Sequence, residues 1–512
     1  MSNRLAMAWP VVLGLAVMTP GALLGEQLRG ALPLLAEPAV PDQEWLTAAP
    51  TVTAPQAAPW AEAAPPVQVP ADDTFHQGDL RFRLGGQYRV LPNFSNFFFQ
   101  SPTISDNQPT ENFANQRLRL WLTVMPNDNV EGYVQMQVGG FLWGQNFEFP
   151  KTFNGPIFSA LGIPPHGDRV GIMLRRAWLG YKDDEYGRFR IGILDWHDSF
   201  GDTLASSDYE FDVAGVDWVK EFPEFGKLRL WLGAFVLTDE ALLTDSTDIA
   251  GAHDAYLFTL DADQPLGSCY SIGGSIYYLA DHGQYSYPTN VPYRSSWDLW
   301  LGLRARAKWD PVPVNAFVIY NPGQRDDLDG TEFRHNGWAA KVEAGPVAVG
   351  PGKLSAQVLW ASGDSNPGTG SSDEFRTIAQ TYRDNFGAQG YWSYLYLTSP
   401  NGPADVKDLG VSLQNRGYGL FTIQTKYEYP ICHRLSGITA FGYLWADSAN
   451  VISGSKDIGP ELAQQFTFDF GGGLKADFGV AVLFTGDFYR ASPVAPEPNT
   501  LYEVFCRVQL EF

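Results

Sequence analysis

Within residues 297–309 every odd position is apolar (Trp297, Leu299, Leu301, Leu303, Ala305, Ala307, Trp309), while the even positions carry Asp298, Arg304, Arg306 and Lys308. A period of two sets these groups on opposite faces of one extended strand. The same pattern recurs along the chain. Within 78–90, Leu80, Phe82, Leu84, Tyr88 and Val90 oppose Arg81, Arg83, Gln87 and Arg89. Leu118, Leu120, Leu122 and Val124 oppose Arg117, Arg119 and Thr123, and Val134, Met136 and Val138 oppose Glu131, Gln135 and Gln137. Further strands are predicted near 170–181, 187–195, 213–222, 226–237, 254–265, 267–280, 314–321, 335–345, 352–361, 416–430, 434–446, 459–470, 474–486 and 501–512, which makes eighteen. The fourth and fifteenth alternate poorly, so the expected count is 16–18.

The connections alternate between long and short: 91–114 is long, 126–129 short, 140–169 long, 182–186 short, and the longest runs from 362 to about 415. A sandwich has no reason to gather its short turns at one end, whereas a membrane barrel has short periplasmic turns and long outer loops. A ring of this size also cannot fill its interior with side chains, so the polar face must line water and the apolar face must meet hydrocarbon. The expected fold is therefore all-β: a transmembrane antiparallel up-and-down barrel of about 18 strands in a Gram-negative-type outer membrane. Trp297, Trp309, Tyr427 and Tyr429, near strand ends, suit interfacial girdles.

Composition agrees. Glycine (52 residues), 14% aromatics and only 18% charged residues favour strands and turns, and a mean hydropathy of -0.17 argues against helical spans. Arg4 followed by an apolar run broken at Pro10 and Pro20 reads as a secretory signal region, 1–36, with Gly25 and Ala36 as candidate cleavage points. Pro and Ala make up just over half of residues 37–71, so 37–74 is expected to be a disordered leader before the barrel, 75–512. Cys269, Cys432 and Cys506 lack zinc or redox spacing and are expected to be free thiols.

In the last strand Tyr502, Val504, Cys506, Val508, Leu510 and Phe512 face one side, and Glu503, Arg507, Gln509 and Glu511 the other. With an aromatic end and no polar tail, this strand is expected to be paired along its length. It resembles the final strand of Gram-negative outer-membrane barrels, which implies that Phe512 is a signal read by the barrel assembly machinery. Residues 361–375 (ASGDSNPGTGSSDEF) and 455–462 (SKDIGPEL) look like segments of alginate-export-type outer-membrane proteins and related porins. That resemblance implies an arginine-lined channel for anionic solutes, in the namesake a polyuronate. The sequence departs from the pattern in its Pro/Ala leader and in GPEL, where a second acidic residue is expected soon after the glutamate.

The formal charge of -22 is concentrated in connections, such as 239–254, 325–332 and 364–384. The lumen positions are instead basic: Arg81, Arg83, Arg89, Arg117, Arg119, Arg229, Arg304, Arg306 and Lys308. Strands 1 and 10 lie on opposite walls of an eighteen-strand ring, so their cations would focus a positive potential across the pore. At the seam, Glu503 and Glu511 are expected beside Arg81 and Arg83. An acidic cluster, Asp195, His197, Asp198, Asp202, Asp208, Glu210 and Asp212, reads as a solvated outer loop rather than a metal site, although it could fold inward and narrow the pore. The scattered histidines and the lack of a Gly-x-Ser-x-Gly or His-Glu-x-x-His motif argue against an enzyme. The reading is an anion-passing porin without cofactor, metal or nucleic-acid partner, surrounded by lipid and lipopolysaccharide, in a possible homotrimer. An envelope-anchoring barrel with a plugged pore is the alternative.

Overall fold

The computed structural model describes residues 74–77, 80–97, 111–142, 172–205, 207, 211–238, 254–282, 293–365, 371–378, 392–396, 411, 413–490 and 500–512. The signal region and nearly all of the leader lie outside these residues, as does most of the first, second and fourth long connections.

Eighteen strands form the wall: β1 (Leu80–Ser95), β2 (Glu111–Met125), β3 (Val130–Leu142), β4 (Ile172–Asp183), β5 (Gly187–Asp195), β6 (Asp212–Phe222), β7 (Leu228–Thr238), β8 (Ala255–Leu266) and β9 (Tyr270–Asp281). They continue with β10 (Tyr293–Trp309), β11 (Val312–Asp327), β12 (Glu332–Val349), β13 (Gly352–Ala361), β14 (Leu420–Cys432), β15 (Leu435–Trp445), β16 (Asp457–Gly471), β17 (Leu474–Leu483) and β18 (Leu501–Glu511). Each pairs antiparallel with its sequence neighbours, and β18 closes on β1 from Gln87↔Glu511 to Ser95↔Glu503. Phe512 donates to and accepts from the backbone of Gly86 (3.0 and 2.7 Å), so the terminal residue completes the seam. Two short strands lie beside this ring: Thr74–Gln77 on the lower edge of β1, and Ser371–Ser372, parallel to β12.

Alternation decides the two faces. On β10 Trp297, Leu301 and Leu303 are exposed, Leu303 to 66%, whereas Trp300 and Arg304 at the alternate positions are buried. The exposed row continues as Phe258, Leu260, Ile272, Ile276, Val318 and Val342 on neighbouring strands. A closed ring leaves no unpaired edge, so these strands meet hydrocarbon with every backbone group satisfied. Trp309 is 58% exposed at the turn end of β10, and Tyr427 stacks on Tyr429 (5.3 Å), as expected for a girdle.

The two poor alternators have local causes. On β4 a register shift opposite Gln135 and Met136 brings Arg175 and Arg176 to the same carboxylate, Asp212 (3.0 and 2.8 Å). On β15 Gly437 lies under the Tyr429 ring, which supplies the side chain that the glycine lacks. Strands β11 and β12 extend well past the predicted 314–321 and 335–345, with pairing from Asp326↔Glu332 inward. Beyond the apolar belt both faces are wet, so the alternation fades while backbone pairing persists.

The seam departs from expectation. Arg81 bonds Asp128 across the adjacent turn (2.6 Å), Glu511 lies opposite Gln87, and Glu503 accepts from Asn93 (2.8 Å). Arg81 and Arg83 start β1 below the point where β18 ends, so neither glutamate is beside them. The three cysteines are free.

Candidate functional site

The lumen is partly filled by its own connections. After β5 the chain turns inward about Asp198, whose carboxylate accepts backbone N–H groups of Phe200 (2.7 Å), Leu204 (2.6 Å) and Ala205 (2.9 Å). That turn presents Trp196 and Phe200 to lumen-facing side chains of β7, β9 and β11. Trp196 meets Phe235 (5.8 Å) and Tyr277 (5.5 Å), and Phe200 meets Tyr277 (5.9 Å) and Phe317 (5.5 Å). The tyrosine hydroxyl also accepts the Ser199 N–H (3.0 Å). Burial, with the nearby Asp202 charge, pushes the Asp198 carboxyl up to about 7.

The solvated reading of this acidic cluster is therefore corrected. The segment folds inward, and its described carboxylates have internal partners: Asp195 with Arg190 (2.6 Å), Asp202 with His197 (2.8 Å) and Asp212 with Arg175 and Arg176. Asp208 and Glu210 lie outside the described residues. Among the described residues no group of three or more His, Cys, Asp or Glu is arranged to hold a metal.

The connection between β13 and β14 forms a second inward element. Phe375 and Arg376 are buried, the Arg376 carbonyl accepts from the Trp300 indole (2.8 Å), and its backbone N–H donates to Asn321 (3.0 Å). Its guanidinium lies 3.9 Å from Asp298, which also pairs with His335 (2.9 Å). Further on, Trp392 donates its backbone N–H to Gln424 (3.0 Å), and Tyr394 its hydroxyl to Gln465 (3.1 Å).

The basic positions divide into three groups. On the β1–β2 wall Arg89 donates to Asn115 (3.4 Å), Arg117 to Gln87 (3.2 Å) and Arg119 to Gln137 (2.8 Å). Arg83 and Lys308 are exposed at the turn end of the barrel, and Arg229 and Arg306 are half-buried near that end. Arg304 is different. It reaches across β9 to Asp263 (2.7 Å) and Asp261 (3.3 Å), with Phe200 against its guanidinium (5.8 Å). Its expected role as an open-pore cation facing Arg83 and Arg89 is thus corrected: it is 5% exposed and ion-paired.

Gly302 lies on the lumen face of the same strand. A Cβ there would run into the Phe200 ring, so a side chain at this position would have to displace Phe200. Sequence reasoning also missed Arg190, fully buried between Asp195 and Asp217 (2.6 Å each). The alternation contained that signal, since Arg190 and Asp217 occupy polar-face positions of adjacent strands. For Arg376, in an irregular segment, it contained none.

No protein-family model matches the chain, and no curated protein matches it. Among solved structures, the chain is similar to OpdK of Pseudomonas aeruginosa, crystallised with vanillate (TM-score 0.47, 12% identity, 84% of this chain and 98% of that one). It is also similar to OccK8 of P. aeruginosa (TM-score 0.49, 10% identity, again 84% and 98%) and to a BenF-like porin of Pseudomonas fluorescens Pf-5 (TM-score 0.45, 10% identity, 84% and 98%). At such identity the likeness is one of barrel shape. The strand pairing itself settles the architecture: eighteen antiparallel strands closed on a polar lumen inside an apolar belt are a transmembrane β-barrel of the outer-membrane kind.

Proposed function

We propose that the chain is an outer-membrane channel that passes small anionic solutes along its basic lumen wall. The observation that carries this reading is the basic set on the β1–β2 wall: Arg119 is half-buried and donates to Gln137, while Arg89 and Arg117 are buried and donate to Asn115 and Gln87. Guanidinium groups along a low-dielectric wall concentrate anions. Exposed Arg83 and Lys308 at the turn end would extend that field to the mouth. Small solutes suit a lumen with two inward-folded elements; an acidic polysaccharide, implied by the resemblance to alginate-export proteins, would require them to move. In a planar bilayer under a KCl gradient the reversal potential should show anion preference and shift toward cations in an R117E/R119E variant. A wild-type channel that prefers cations would overturn the reading.

The buried packing of Trp196, Phe200 and Tyr394 inside the ring favours a second reading, an anchoring barrel with a permanently plugged lumen. It requires that the wild type show no open-channel steps. Phe512, which closes the ring on Gly86, is proposed as the residue read during assembly. Its deletion should lower the yield of heat-modifiable folded barrel.

A further inference from the structure

The two stretches singled out by their sequence, 361–375 and 455–462, hold the same internal element. In the first, the Ser362 carbonyl accepts from the Phe375 N–H (2.9 Å) and its hydroxyl donates to the Asp373 carbonyl (2.6 Å), which turns the chain off β13 and into the lumen. In the second, Gly459-Pro460-Glu461-Leu462 places Glu461 on the inner face of β16, opposite Gly442. A glycine opposite leaves room beside Glu461, and residues 392–396 occupy the lumen there.

The contact is specific. The Glu461 carboxylate accepts the backbone N–H groups of Tyr394 (2.5 Å), Leu395 (3.3 Å) and Tyr396 (3.1 Å) and the Ser393 hydroxyl (2.8 Å). Consecutive N–H groups converging on one carboxylate form an anion-binding concavity, filled here by the protein's own side chain. Glu461 is 4% exposed and, among the described residues, faces no cation. An anion buried with only neutral donors is unfavourable for the barrel by itself, so its benefit lies in what it holds. Asp298 fastens the element a second time through Arg376, four strands earlier along the wall counted from β14.

We propose that Glu461 is a positioning residue that sets the size limit of the channel, by fixing residues 392–396 across the lumen, with Asp298 as the second anchor. This rests on the channel reading. Losing the carboxylate takes its acceptor from the Tyr394 and Leu395 N–H groups and the Ser393 hydroxyl and leaves the Tyr396 N–H only Ser393 (3.2 Å), so the side chains keep Gln465, Asn415 and Tyr489 while the backbone loses the group that fixes it. With its backbone unfixed, the segment would shift and widen the permeation path while the strand pairing of β16 stays intact.

Liposome swelling tests this, with the full-length folded protein and uncharged sugars of increasing size as probes. Glu461→Ala should raise the rate for raffinose relative to glucose severalfold, and Glu461→Gln, whose amide oxygen can still accept, should raise it less. Both should keep the heat-modifiable folded form; should the alanine variant fail to fold, the glutamine variant and Ser393→Ala, which removes one donor, replace it. An unchanged raffinose-to-glucose ratio in folded variants that still pass glucose would overturn the proposal. A wild type impermeable to glucose, with a leaky Glu461→Ala variant, would refute the channel reading and keep the anchor.

Discussion

Two arginine-bearing walls of the same lumen behave differently. On β1 and β2, Arg89, Arg117 and Arg119 take amides of flanking strands as partners, whereas on β10 Arg304 lies between the two carboxylates of Asp261 and Asp263. In sequence the two are equivalent: basic residues at alternate positions of an amphipathic strand. What separates them is two strands away. Arg304 reaches β8 only because Gly273 of β9 intervenes, where a Cβ would crowd both the guanidinium and the Asp263 carboxylate. Strand alternation therefore fixes the direction of a charge, and the small residue between strands decides whether it can reach a carboxylate two strands away.

The most damaging way to break the comparison is to strip the paired wall. Asp263→Ala leaves Arg304 buried without its bidentate partner, and removing one member of such a pair costs about 3–5 kcal/mol. Gln137→Ala, which takes a buried neutral acceptor from the half-buried Arg119, should cost less, about 1 kcal/mol. Unfolding of the two variants by denaturant in detergent measures both; equal losses would mean that the walls are alike.

Crowding offers a second contrast, still on β10. Leu303→Arg places a charge in hydrocarbon at roughly 2–4 kcal/mol, a penalty of the outer face. Gly302→Ala, one residue away and inward, should cost about 1–3 kcal/mol because the added methyl meets Phe200. Phe200→Ala in the same chain should recover part of the second loss and none of the first. Absence of that coupling in a denaturant titration would separate the inward turn from the β10 wall.

These cases show what the sequence could disclose. The faces of β10, the count of eighteen and the placement of short turns follow from a period of two, which depends only on near neighbours. The pairing of Arg304 does not, since Asp261 and Asp263 lie about forty residues away, and register had to be known first. The seam illustrates the same limit: a stagger that leaves Arg81 below the end of β18 moved Glu511 to Gln87. Residues 196–205 and 392–396 have no regular period, so their inward course depends on individual contacts to Asp198 and Glu461. The alternation likewise puts Gly302 on the lumen face, but its lack of room follows only from the inward turn that brings Phe200 against it.

Selectivity sharpens the comparison with a smaller effect. Neutralising a pair on the carboxylate wall, Arg304→Gln with Asp261→Asn, leaves the net lumen charge unchanged, whereas Arg117→Gln with Arg119→Gln removes two positive charges. Only the second variant should move the reversal potential toward cations. The shift should grow as salt falls, because screening acts over about 8 Å at physiological ionic strength. Equal shifts would place the permeation path along both walls.

The smallest expected effect is a pH dependence of the inward turn that leans on the carboxylate wall. Burial and the Asp202 charge push the Asp198 carboxyl up to about 7, from an ordinary value of about 3.9. A raised acid pKa means that the folded turn favours the protonated form. Its contribution is complete below the ordinary value and fades as pH rises through about 7. Phe200 should accordingly be held more firmly at pH 5 than at pH 8, and open-channel current noise should increase across that range. His197, bonded to Asp202, and Tyr277, which accepts from Ser199, face the same turn, so the assignment needs a control. Asp198→Asn cannot ionise and should flatten the profile, whereas His197→Gln should leave it rising. A profile unchanged by Asp198→Asn would move the titration to another group and leave the tuck of Phe200 to its aromatic contacts alone.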